Sequence, residues 1–354
     1  MKALILAGGK GTRLRPITFS MAKQLVPVAN KPVIEFGIEA IASAGITEFG
    51  VIVGDTHEEV RKALGDGSRW GIKIDFIEQS APLGLAHAVK TAREYLGDDD
   101  FIMYLGDNLI KSSVADLVAE FNRHKPAATI LLTPVPNPSE FGVAEMDGDR
   151  VTRLEEKPSA PRSNLALVGV YLFDRRIHDV IETLRPSKRG ELEITDAIQS
   201  LIDRGMTVRS HIIEGWWKDT GTVEAMLEAN RLILEDVVAR NCGDVDADSR
   251  VEGRVSIGKG SKILKSTVRG PAVIGDDCVI EDSYIGPFTS VDSRSKIRST
   301  EIENSIVLAD CCLDGVSARI EGSLIGRGAS VSKSGHMPRS VRLVLGDSSS
   351  VSIP

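Results

Sequence analysis

The stretch Ala3-Leu-Ile-Leu-Ala-Gly-Gly-Lys-Gly-Thr-Arg-Leu14 opens the chain with a short apolar run that breaks into a glycine-rich turn. A run of this kind predicts a buried strand of a parallel sheet. Glycines let the backbone turn sharply and approach a ligand closely, and the N–H groups of such a turn form a cradle for anions. Because Arg13 and, ten residues later, Lys23 add positive charge, we interpret the turn as a polyphosphate-binding loop. A purely structural turn is the alternative.

The spacing of the glycines excludes two common phosphate-binding motifs. No Gly-Lys-Ser/Thr follows at the distance that a Walker A loop requires. No third glycine stands at the helix start, as it would in the dinucleotide-binding fingerprint. The loop therefore predicts a polyphosphate site outside these two classes.

Composition and charge narrow the class of protein. The chain has 354 residues, 42% of them hydrophobic and 26% charged, which is ordinary for a globular protein of two domains. A net charge of −7 offers no basic field for nucleic acid. No apolar run is long enough to span a bilayer, no signal-peptide pattern is present, and the four cysteines have no metal-site spacing. We therefore expect a reduced, cytoplasmic protein without nucleic-acid or membrane partners.

Apolar strands alternate with helical patterns over the first two thirds of the chain, which predicts an α/β fold with a Rossmann-like, mostly parallel sheet. Strands are predicted at residues 3–7, 49–53, 73–77, 100–105 and 166–173, and a hairpin at 137–154 turns at Asp147-Gly148. Helices are predicted at 32–44, 58–64 and 223–238, the last capped by Thr222. A further helix through Ile198 and Leu201 would be capped by Thr195 or Asp196.

Two carboxylates stand out after apolar segments. Asp107 follows the predicted central strand at residues 100–105, and a carboxylate beside the ligand crevice of an α/β sheet suits Mg²⁺. A turn former or a helix cap is the alternative for a lone residue of this kind. Asp219, in Gly215-Trp-Trp-Lys-Asp-Thr-Gly221, is the second candidate carboxylate.

From Val251 onward, isolated apolar residues recur at an interval of seventeen residues. The first series contains Ile257, Ile274, Val291, Leu308 and Ile325, the second Ile263, Ile280 and Ile297, and the third Val251, Val268, Ile285 and Ile302. Three short sides per period, each with one inward apolar residue, predict a parallel β-helix, whereas a β-sandwich would show alternating strands and variable turns. Such tails often assemble subunits, so we expect a homo-oligomer. An acyltransferase tail is disfavoured because its only histidine, His336, lies past the main repeat.

Several short motifs together resemble the signature of the sugar-1-phosphate nucleotidylyltransferases. Three of them are Leu6-Ala-Gly-Gly-x-Gly-Thr-Arg-Leu-x-Pro16, Lys23-Gln-Leu-Val-Pro-Val28 and Asn30-Lys-Pro32. Four later strings agree, namely Gln79-x-x-Pro-x-Gly-Leu-Ala86, Phe141-Gly-Val143, Glu155-Glu-Lys-Pro158 and Gly190-Glu-Leu-Glu-Ile-Thr-Asp196. The last string is typical of the thymidylyltransferase branch, and the repeat resembles the left-handed β-helix of hexapeptide-repeat proteins. The long chain thus resembles the longer form of that branch.

The resemblance implies a set of site residues. It implies catalytic roles for Arg13, Lys23, Asp107, Lys157 and Asp219, with one Mg²⁺ shared by Asp107 and Asp219. It implies nucleotide binding by Leu6, Gly8, Gly9, Gly11, Thr12, Arg13, Lys23, Gln24, Gln79, Pro82, Gly84 and Leu85. It implies sugar-phosphate binding by Asn108, Gly142, Glu156, Lys157, Val168 and Trp217. Leu83 stands where short-form relatives commonly have Asp.

The patterns predict two domains, and the resemblance implies one reaction. We expect residues 1–240 to form a nucleotidyltransferase domain and residues 241–354 a left-handed parallel β-helix. The expected reaction joins dTTP and glucose 1-phosphate, gives dTDP-glucose and pyrophosphate, and serves deoxysugar biosynthesis. The alternatives are a uridylyltransferase that takes UTP with glucose or N-acetylglucosamine 1-phosphate, a bifunctional enzyme with an acyltransferase tail, and a non-catalytic regulatory homologue.

Overall fold

The computed structural model describes residues 1–148, 150–333 and 342–353, so His336 lies outside the described residues. Contacts between Cα atoms divide the chain into two units. The first contains Met1–Lys10, Met21–Leu25 and Ile34–Asp219, and the second contains Gly11–Ser20, Val26–Val33 and Thr220–Pro354. Among the described helices, none has both the length and the apolar character needed to cross a membrane. The domain boundary between residues 240 and 241 stays a prediction.

The helices and the first strands follow the order that the sequence predicts. The α-helices are α1 (Val33–Ser43), α2 (His57–Leu64), α3 (Leu85–Thr91), α4 (Arg93–Leu96), α5 (Val114–His124), α6 (Arg176–Ile181), α7 (Ile194–Asp203) and α8 (Val223–Glu235), and 3₁₀ turns occur at Thr12–Leu14, Ile17–Phe19, Lys23–Leu25, Ser68–Trp70 and Pro138–Glu140. The strands up to residue 219 are β1 (Lys2–Leu6), β2 (Pro27–Val28), β3 (Lys31–Pro32), β4 (Glu48–Val53), β5 (Lys73–Glu78), β6 (Phe101–Leu105), β7 (Asn108–Ile110), β8 (Ala128–Pro134), β9 (Gly142–Asp147), β10 (Arg150–Glu156), β11 (Leu165–Phe173), β12 (Val208–Ile212) and β13 (Trp217–Asp219).

The first unit is built on one mixed sheet with β1 near its centre. β1 pairs in parallel with β4 on one side and β6 on the other, and β5 continues the parallel part beyond β4. Beyond β6 the sheet becomes antiparallel through β11, to which β8 and the β9–β10 hairpin are added. The predicted α/β fold is confirmed, and the five strands predicted singly end within one residue of their predicted bounds.

The strand order creates a crevice at one edge of this sheet. From β1 the chain proceeds through α1 to β4 and β5 on one side, and it then crosses to β6 on the other side of β1. Ligands of open α/β sheets bind at such a switch point, outside the carboxyl ends of the strands. Backbone pairing continues to the rim, because Ala7 N–H donates to Ile52 O at 2.8 Å and Gly106 N–H to Leu6 O at 3.0 Å. The glycine-rich loop and Asp107 therefore leave the sheet at the same edge.

Alternating side chains bury both faces of the sheet. Leu4 and Leu6 of β1 join one hydrophobic cluster, whereas Ala3, Ile5 and Ala7 join the cluster on the opposite face. The same alternation continues in β6 and β11. Burying one large apolar side chain stabilises the fold by roughly 1.5–3 kcal/mol. Helices on both faces therefore fix the strand ends from which the crevice residues project.

The predicted cap of α7 is wrong. The helix begins at Ile194 after an extended Glu193, so Thr195 and Asp196 lie in its first turn instead of before it. Glu193 is buried and its Oε1 accepts a hydrogen bond from Ser187 Oγ at 2.9 Å, which holds the residue outside the helix.

The predicted start of α8 is confirmed, but its predicted end is wrong. Thr222 caps the helix, because its Oγ1 accepts a hydrogen bond from Ala225 N–H at 3.2 Å. The helix ends at Glu235 and not at Val238. Val238 is 79% exposed, so no burial of its side chain supports a further turn.

The second unit contains seventeen short strands in the described part of the tail. They are β14 (Arg240–Asn241), β15 (Asp244–Val245), β16 (Arg250–Glu252), β17 (Val255–Ile257), β18 (Lys262–Leu264), β19 (Thr267–Arg269), β20 (Ala272–Ile274), β21 (Val279–Glu281), β22 (Tyr284–Ile285), β23 (Thr289–Val291), β24 (Lys296–Arg298), β25 (Glu301–Glu303), β26 (Ile306–Val307), β27 (Cys312–Asp314), β28 (Ile320–Glu321), β29 (Leu324–Ile325) and β30 (Ser330–Ser332). Each strand pairs in parallel with the strand three positions later in the chain, which gives three sheets of six, six and five strands. This three-sided arrangement is that of the predicted left-handed parallel β-helix.

The repeat keeps its seventeen-residue register for three coils and then shifts. Val291 pairs with Val307, sixteen residues on, and Val307 pairs with Ile325, eighteen residues on. The prediction that Leu308 occupies this position is therefore wrong by one residue. The reason is unequal side lengths: the step from Ile302 to Val307 is one residue shorter than the step from Ile285 to Val291. A longer loop between Leu313 and Ile320 restores the register.

Inward apolar residues fill the β-helix. The other members of the three predicted series pack in one hydrophobic cluster or against it, except for Val251. Val251 pairs in register with Val268 but is 40% exposed, because β16 is the end strand of its sheet and has no coil before it. Buried Cys278 and Cys311 join the same cluster, and all four cysteines carry free thiols.

His178 of α6 is a buried titratable group in the first unit. The residue is 5% exposed, and its ring stacks on Phe101 at a centroid distance of 5.8 Å. Its Nε2 finds no hydrogen-bond partner among the described residues. Burial, and to a smaller degree the positive charge of Arg93, lowers the pKa of His178 below the ordinary histidine value.

The lowered pKa predicts acid-sensitive stability. The unfolded chain binds a proton near the ordinary pKa of 6.5 while the native chain resists it, so the free energy of unfolding should fall as the pH drops below that value. Urea unfolding between about pH 5 and pH 7.5 measures the slope. His178→Gln should flatten it, whereas His124→Gln, at an exposed position, should leave it unchanged. Equal slopes in the native chain and His178→Gln would contradict the assignment.

Candidate active site

Two distant carboxylates meet at the switch-point edge. Asp107 lies between the end of β6 and the start of β7, and Asp219 ends β13. Because β13 pairs antiparallel with β7, Asp219 stands directly opposite Asn108. Lys23 Nζ donates hydrogen bonds to Asp107 Oδ2 and, at 3.2 Å, to Asp219 Oδ1. The two carboxylates therefore converge on one ammonium group.

The ammonium group at the centre of this cluster is buried, and the two carboxylates beside it are partly exposed. Lys23 is 7% exposed. Burial alone would lower the pKa of Lys23, but Asp107 and Asp219 together raise it above the ordinary lysine value. Burial alone would raise the pKa of Asp107, but Lys23 and the hydrogen bond from Asn108 hold it below its ordinary range. Lys23 and Asp107 are therefore charged near neutral pH.

A second layer of hydrogen bonds orients Asp107. Asn108 is 2% exposed, and its Nδ2 donates to Asp107 Oδ1 at 2.8 Å. Its Oδ1 accepts a hydrogen bond from Trp217 Nε1, and its backbone O accepts one from Tyr104 Oη at 3.0 Å. Asn108 of β7 thus fixes the Asp107 carboxylate, and Trp217 and Tyr104 in turn hold Asn108 in place.

The donor set fits a hard divalent cation. Two carboxylates that reach one ammonium group are also placed to share one metal ion, and Mg²⁺ is usually held by one or two carboxylates together with substrate phosphates and waters. No group of three or more His, Cys, Asp or Glu side chains that could hold a metal occurs in residues 1–148, 150–333 and 342–353. A Mg²⁺ ion at Asp107 and Asp219 would therefore take its remaining ligands from phosphate and water.

The glycine-rich loop lies against Gln24. A Cβ added at Gly9 would stand 3.6 Å from Gln24 Nε2, and one added at Gly106 would stand 3.3 Å from Gln24 Cγ. Gln24 is 2% exposed, and its Oε1 has no partner among the described residues. A buried carbonyl oxygen without a donor is costly unless a ligand supplies one. The buried side chain of Gln24 thus carries an unsatisfied acceptor next to Gly9 and Gly106.

The predicted base-reading residue Gln79 also lies beside this loop. Its Oε1 is 3.5 Å from where a Cβ of Gly8 would stand, and its Nε2 is 2.8 Å from His87 Nδ1. Burial, with a smaller contribution from Lys90, lowers the pKa of His87, which favours the neutral ring as the hydrogen-bond partner. The amide of Gln79 is therefore oriented by α3.

Gly84 is held by the backbone of a distant motif. It has a φ of 104°, and a Cβ at this position would stand 2.4 Å from Leu192 O. Leu192 N–H donates to Leu83 O at 2.8 Å, and Ala86 N–H donates to Leu192 O at 3.0 Å. The loop before α3 therefore rests on the Gly190–Asp196 motif, and only glycine fits at its centre.

Three of the predicted sugar-phosphate-binding residues, Gly142, Glu156 and Lys157, lie on or next to the β9–β10 hairpin. Gly142 and Glu156 are opposite each other in register, and a Cβ at Gly142 would stand 3.0 Å from Glu156 Oε2. Glu156 accepts hydrogen bonds from Arg189 Nη1 at 3.2 Å and from Thr195 Oγ1 at 3.3 Å. Burial and nearby Glu193 raise the pKa of Glu156, although Lys157, Arg189 and Thr195 oppose that shift. Glu156 is thus a half-buried hydrogen-bond acceptor, and the neighbouring Gly142 places no side chain beside it.

One ring contact joins the hairpin to the carboxylate cluster, and one hydrogen bond closes the open end of the hairpin. The ring of Phe141 meets Trp217 edge-on at a centroid distance of 5.2 Å, and Phe141 O accepts the Lys157 N–H at 3.0 Å. Lys157 has a φ of 43°, an uncommon conformation for a residue with a Cβ and one that is enriched at functional sites. The exposed lysine is therefore presented by a strained turn at the end of β10.

The remaining predicted residues lie in different surroundings. Val168 is fully buried in the core of the sheet, so any sugar contact must come from its backbone. Leu6 ends β1, and Pro82 and Leu85 border the Gly84 loop. Gly11, Thr12 and Arg13 belong to the second unit, where Gly11 O accepts a hydrogen bond from Thr18 Oγ1 at 2.7 Å. Their place in the site stays a prediction.

Comparison with known proteins decides the family. Residues 2–236 match the nucleotidyl transferase family. The chain belongs to this family. It is 59% identical over 355 residues to a glucose-1-phosphate thymidylyltransferase of Streptomyces antibioticus, covering 100% of this chain and 99% of that protein. It is 49% identical over 358 residues to a low-salt glycan biosynthesis nucleotidyltransferase of Haloferax volcanii, covering 100% of both chains.

A solved relative supports the same assignment of the first two thirds. The crystal structure of a Bacillus anthracis protein, assigned as a glucose-1-phosphate thymidylyltransferase and bound to sucrose, is 36% identical with a TM-score of 0.64. The match covers 68% of this chain and 98% of that one. The predicted enzyme class, a nucleotidyltransferase, is confirmed.

Sequence reasoning missed the residues that support the site. His87 was assigned no role, although it follows the Gln79 loop directly in sequence. The Gly190–Asp196 motif was noted without a function, yet it supplies Leu192 behind Gly84 and Thr195 beside Glu156. These contacts depend on which segments the fold brings together, and the only signal available beforehand was the motif's distinctiveness.

The crowding at Gly84 predicts a nucleotide-binding defect. Gly84→Ala should raise the KM for the nucleoside triphosphate by roughly tenfold or more, because the new Cβ must push the loop off Leu192 and small displacements of positioning groups are costly. Steady-state kinetics with varied nucleotide measures this.

A matched glycine separates crowding from backbone strain. Gly97 also has a positive φ of 58°, but a Cβ there meets nothing within 4 Å. Gly97→Ala should lower the melting temperature modestly and leave the KM unchanged. An unchanged KM in Gly84→Ala would remove the loop from the nucleotide site.

Proposed function

We propose that the chain is a glucose-1-phosphate thymidylyltransferase that joins dTTP and glucose 1-phosphate to give dTDP-glucose and pyrophosphate. The observation that carries the proposal is the convergence of Asp107 and Asp219 on the buried ammonium of Lys23 at the switch-point edge. The full-length similarity to the Streptomyces antibioticus enzyme supports the choice of nucleotide and sugar.

The proposed chemistry needs positioning more than bond-making by the protein. A phosphate oxygen of glucose 1-phosphate attacks the α-phosphorus of dTTP, and the bond from that phosphorus to the bridging oxygen of the β-phosphate breaks. The sugar phosphate is already an adequate nucleophile, so no covalent intermediate is required. The protein aligns the two phosphates in line and stabilises charge as pyrophosphate leaves.

Cationic groups in the site would neutralise that charge. Mg²⁺ held by Asp107 and Asp219 would polarise the α-phosphate when bound. Lys23, whose ammonium already lies between the two carboxylates, would stabilise the phosphates of the leaving pyrophosphate together with Arg13. Gln79, Gly84 and Leu85 would hold the thymine, with His87 orienting the Gln79 amide.

The hairpin would bind the second substrate. Glu156, held by Arg189 and Thr195, would accept hydrogen bonds from sugar hydroxyls. Gly142 leaves room beside that carboxylate, and Lys157 would orient the attacking phosphate. The edge contact of Phe141 with Trp217 would keep this half of the site in register with Asp219.

A matrix of nucleotides and sugar phosphates tests the proposal. Each of dTTP and UTP is combined with each of glucose 1-phosphate and N-acetylglucosamine 1-phosphate in the presence of Mg²⁺. We expect pyrophosphate release to be fastest with dTTP and glucose 1-phosphate. Faster turnover with UTP would make the chain a uridylyltransferase, and Leu83 is the position at which the sequence leaves that alternative open. Absence of turnover with tight dTTP binding would indicate a non-catalytic homologue.

Removing one carboxylate should abolish most turnover without unfolding the protein. Asp219→Asn should lower kcat by roughly 10²-fold or more, the scale found for single charge-stabilising groups, and should weaken Mn²⁺ binding in the presence of nucleotide. Pyrophosphate release and Mn²⁺ paramagnetic resonance measure the two effects. Asp248→Asn, at an exposed position of the tail, is the matched control and should behave as the native chain. Near-full activity in Asp219→Asn would refute the metal assignment.

Assembly and compartment complete the proposal. The β-helix would assemble copies of the chain into a homo-oligomer, which light scattering after size-exclusion chromatography can measure. The four free thiols suit a reducing, cytoplasmic environment.

A further inference from the structure

The hairpin that follows Lys23 has a strained tip. β2 and β3 pair antiparallel, with Val28 opposite Lys31, so Ala29 and Asn30 form a two-residue turn. Both have positive φ values, 49° and 63°. Turns of this kind favour Asn-Gly and related pairs, because both central residues are left-handed. Ala29 therefore occupies a conformation that its own side chain disfavours.

Asn230 of α8 holds this tip. The side chain is fully buried, and its Oδ1 accepts hydrogen bonds from Ala29 N–H at 2.9 Å and from Ser290 Oγ at 3.0 Å. Its Nδ2 donates to Phe288 O at 2.9 Å. The Asn230 side-chain amide thus joins the strained turn to the segment of the β-helix around β23. A buried polar group with this many hydrogen-bond partners makes the segments that it contacts more rigid.

A second bond strengthens the same tie. Asn30 Nδ2 donates to Val291 O at 2.8 Å, next to the residues that Asn230 holds. Both central residues of the turn are therefore anchored to one coil of the β-helix, directly or through α8. The base of the hairpin is closed by the hydrogen bond from Val33 N–H to Val26 O at 3.4 Å.

The anchored segment is continuous with Lys23. The 3₁₀ turn Lys23–Leu25 ends immediately before Val26, and α1 begins immediately after Pro32. The backbone between Lys23 and α1 is thus anchored to the β-helix near its midpoint, at Ala29 and Asn30. Without that anchor the strained turn would relax, and the segment that carries Lys23 would gain freedom.

We propose that Asn230 is a positioning residue for catalysis, which ties the Lys23 segment to the β-helix and so makes the repeat domain part of the transferase apparatus. The inference rests on the proposed function for its kinetic consequence. Its structural consequence, protection of residues 23–33 from exchange, does not depend on any substrate.

The test uses the full chain with Asn230→Ala and a matched control. Ser290→Ala removes a different hydrogen bond from the same Asn230 oxygen and leaves the bond to Ala29 in place. Asn230→Ala should lower kcat by roughly tenfold and speed hydrogen exchange in residues 23–33, because misplacing a catalytic group slows the reaction. Ser290→Ala should lower the melting temperature but keep kcat within about twofold of the native value.

A rescue separates positioning from general destabilisation. Glycine adopts the left-handed turn without strain, so Ala29→Gly added to Asn230→Ala should recover most of kcat while leaving the melting temperature low. If Asn230→Ala does not fold, Asn30→Ala, which removes the bond to Val291, takes its place with the same expected result. An equal kcat in Asn230→Ala and Ser290→Ala, or unchanged exchange in residues 23–33, overturns the proposal.

A failure of the proposed function can be distinguished from a failure of the inference about Asn230. If the native chain forms no dTDP-glucose, the nucleotide and sugar assignment fails, and the kinetic comparison moves to the pair that the substrate matrix identifies. If no pair is turned over, the exchange of residues 23–33 still decides whether Asn230 holds the segment.

Discussion

The site depends on one buried ammonium group and the two carboxylates that neutralise it. Lys23 reaches Asp107 across 84 residues of sequence and Asp219 across 196. Removing a charge from water is costly unless it is paired and hydrogen-bonded, so Lys23 can be buried only together with its carboxylate partners. The pairing of β7 with β13 brings the carboxylates to neighbouring positions, and Asn108 fills the remaining polar contact. A triad of this kind adds little net stability, but it requires that β6, β7 and β13 be assembled correctly before the cluster can form.

Backbone proximity builds the other walls of the site. At Gly84 and Gly142 the fold brings another segment to within contact of where a side chain would stand. Glycine is required in these positions because of what faces it, and not only because of its own torsion angles. This explains the glycine in two of the motifs, Gln79–Ala86 and Phe141–Val143. In each of them two segments of chain share one small space.

The sequence predicted the elements of the first unit well because its signals are local. Buried parallel strands such as β1 and β6 are continuous apolar runs, and their bounds follow from the residues that end them. The interval of the repeat was also visible, since each coil requires one inward residue per side. The shift at Val307 was not predictable from that interval, because a coil of sixteen residues is followed by one of eighteen and the two differences cancel. Local rules also misplaced the cap of α7, where the buried Glu193 outweighs the cap preference of Thr195.

Only the site residues that lie in recognisable sequence motifs were predictable. Asp107, Asp219 and Lys23 could each be singled out by position and charge, but their convergence required the sheet order, and the Mg²⁺ assignment required the family resemblance. Supporting residues such as Leu192 and His87 act through contacts that no single-sequence pattern encodes. They became identifiable only when the fold placed a backbone carbonyl behind Gly84 and an imidazole beside Gln79.

The path of the chain argues against treating the repeat as an appended module. Between residues 10 and 34 the backbone passes from the first unit to the second and back twice, so Gly11–Ser20 and Val26–Val33 pack with the tail. Ile17 lies 3.0 Å from where a Cβ of Gly326 would stand, and Ala29 and Asn30 are bonded through Asn230 and Val291. Deleting the β-helix would leave these segments without their partners. The first segment contains Arg13, and the two segments lie on either side of Lys23 in sequence. The tail therefore stabilises backbone segments that contain or adjoin the residues proposed to bind phosphate.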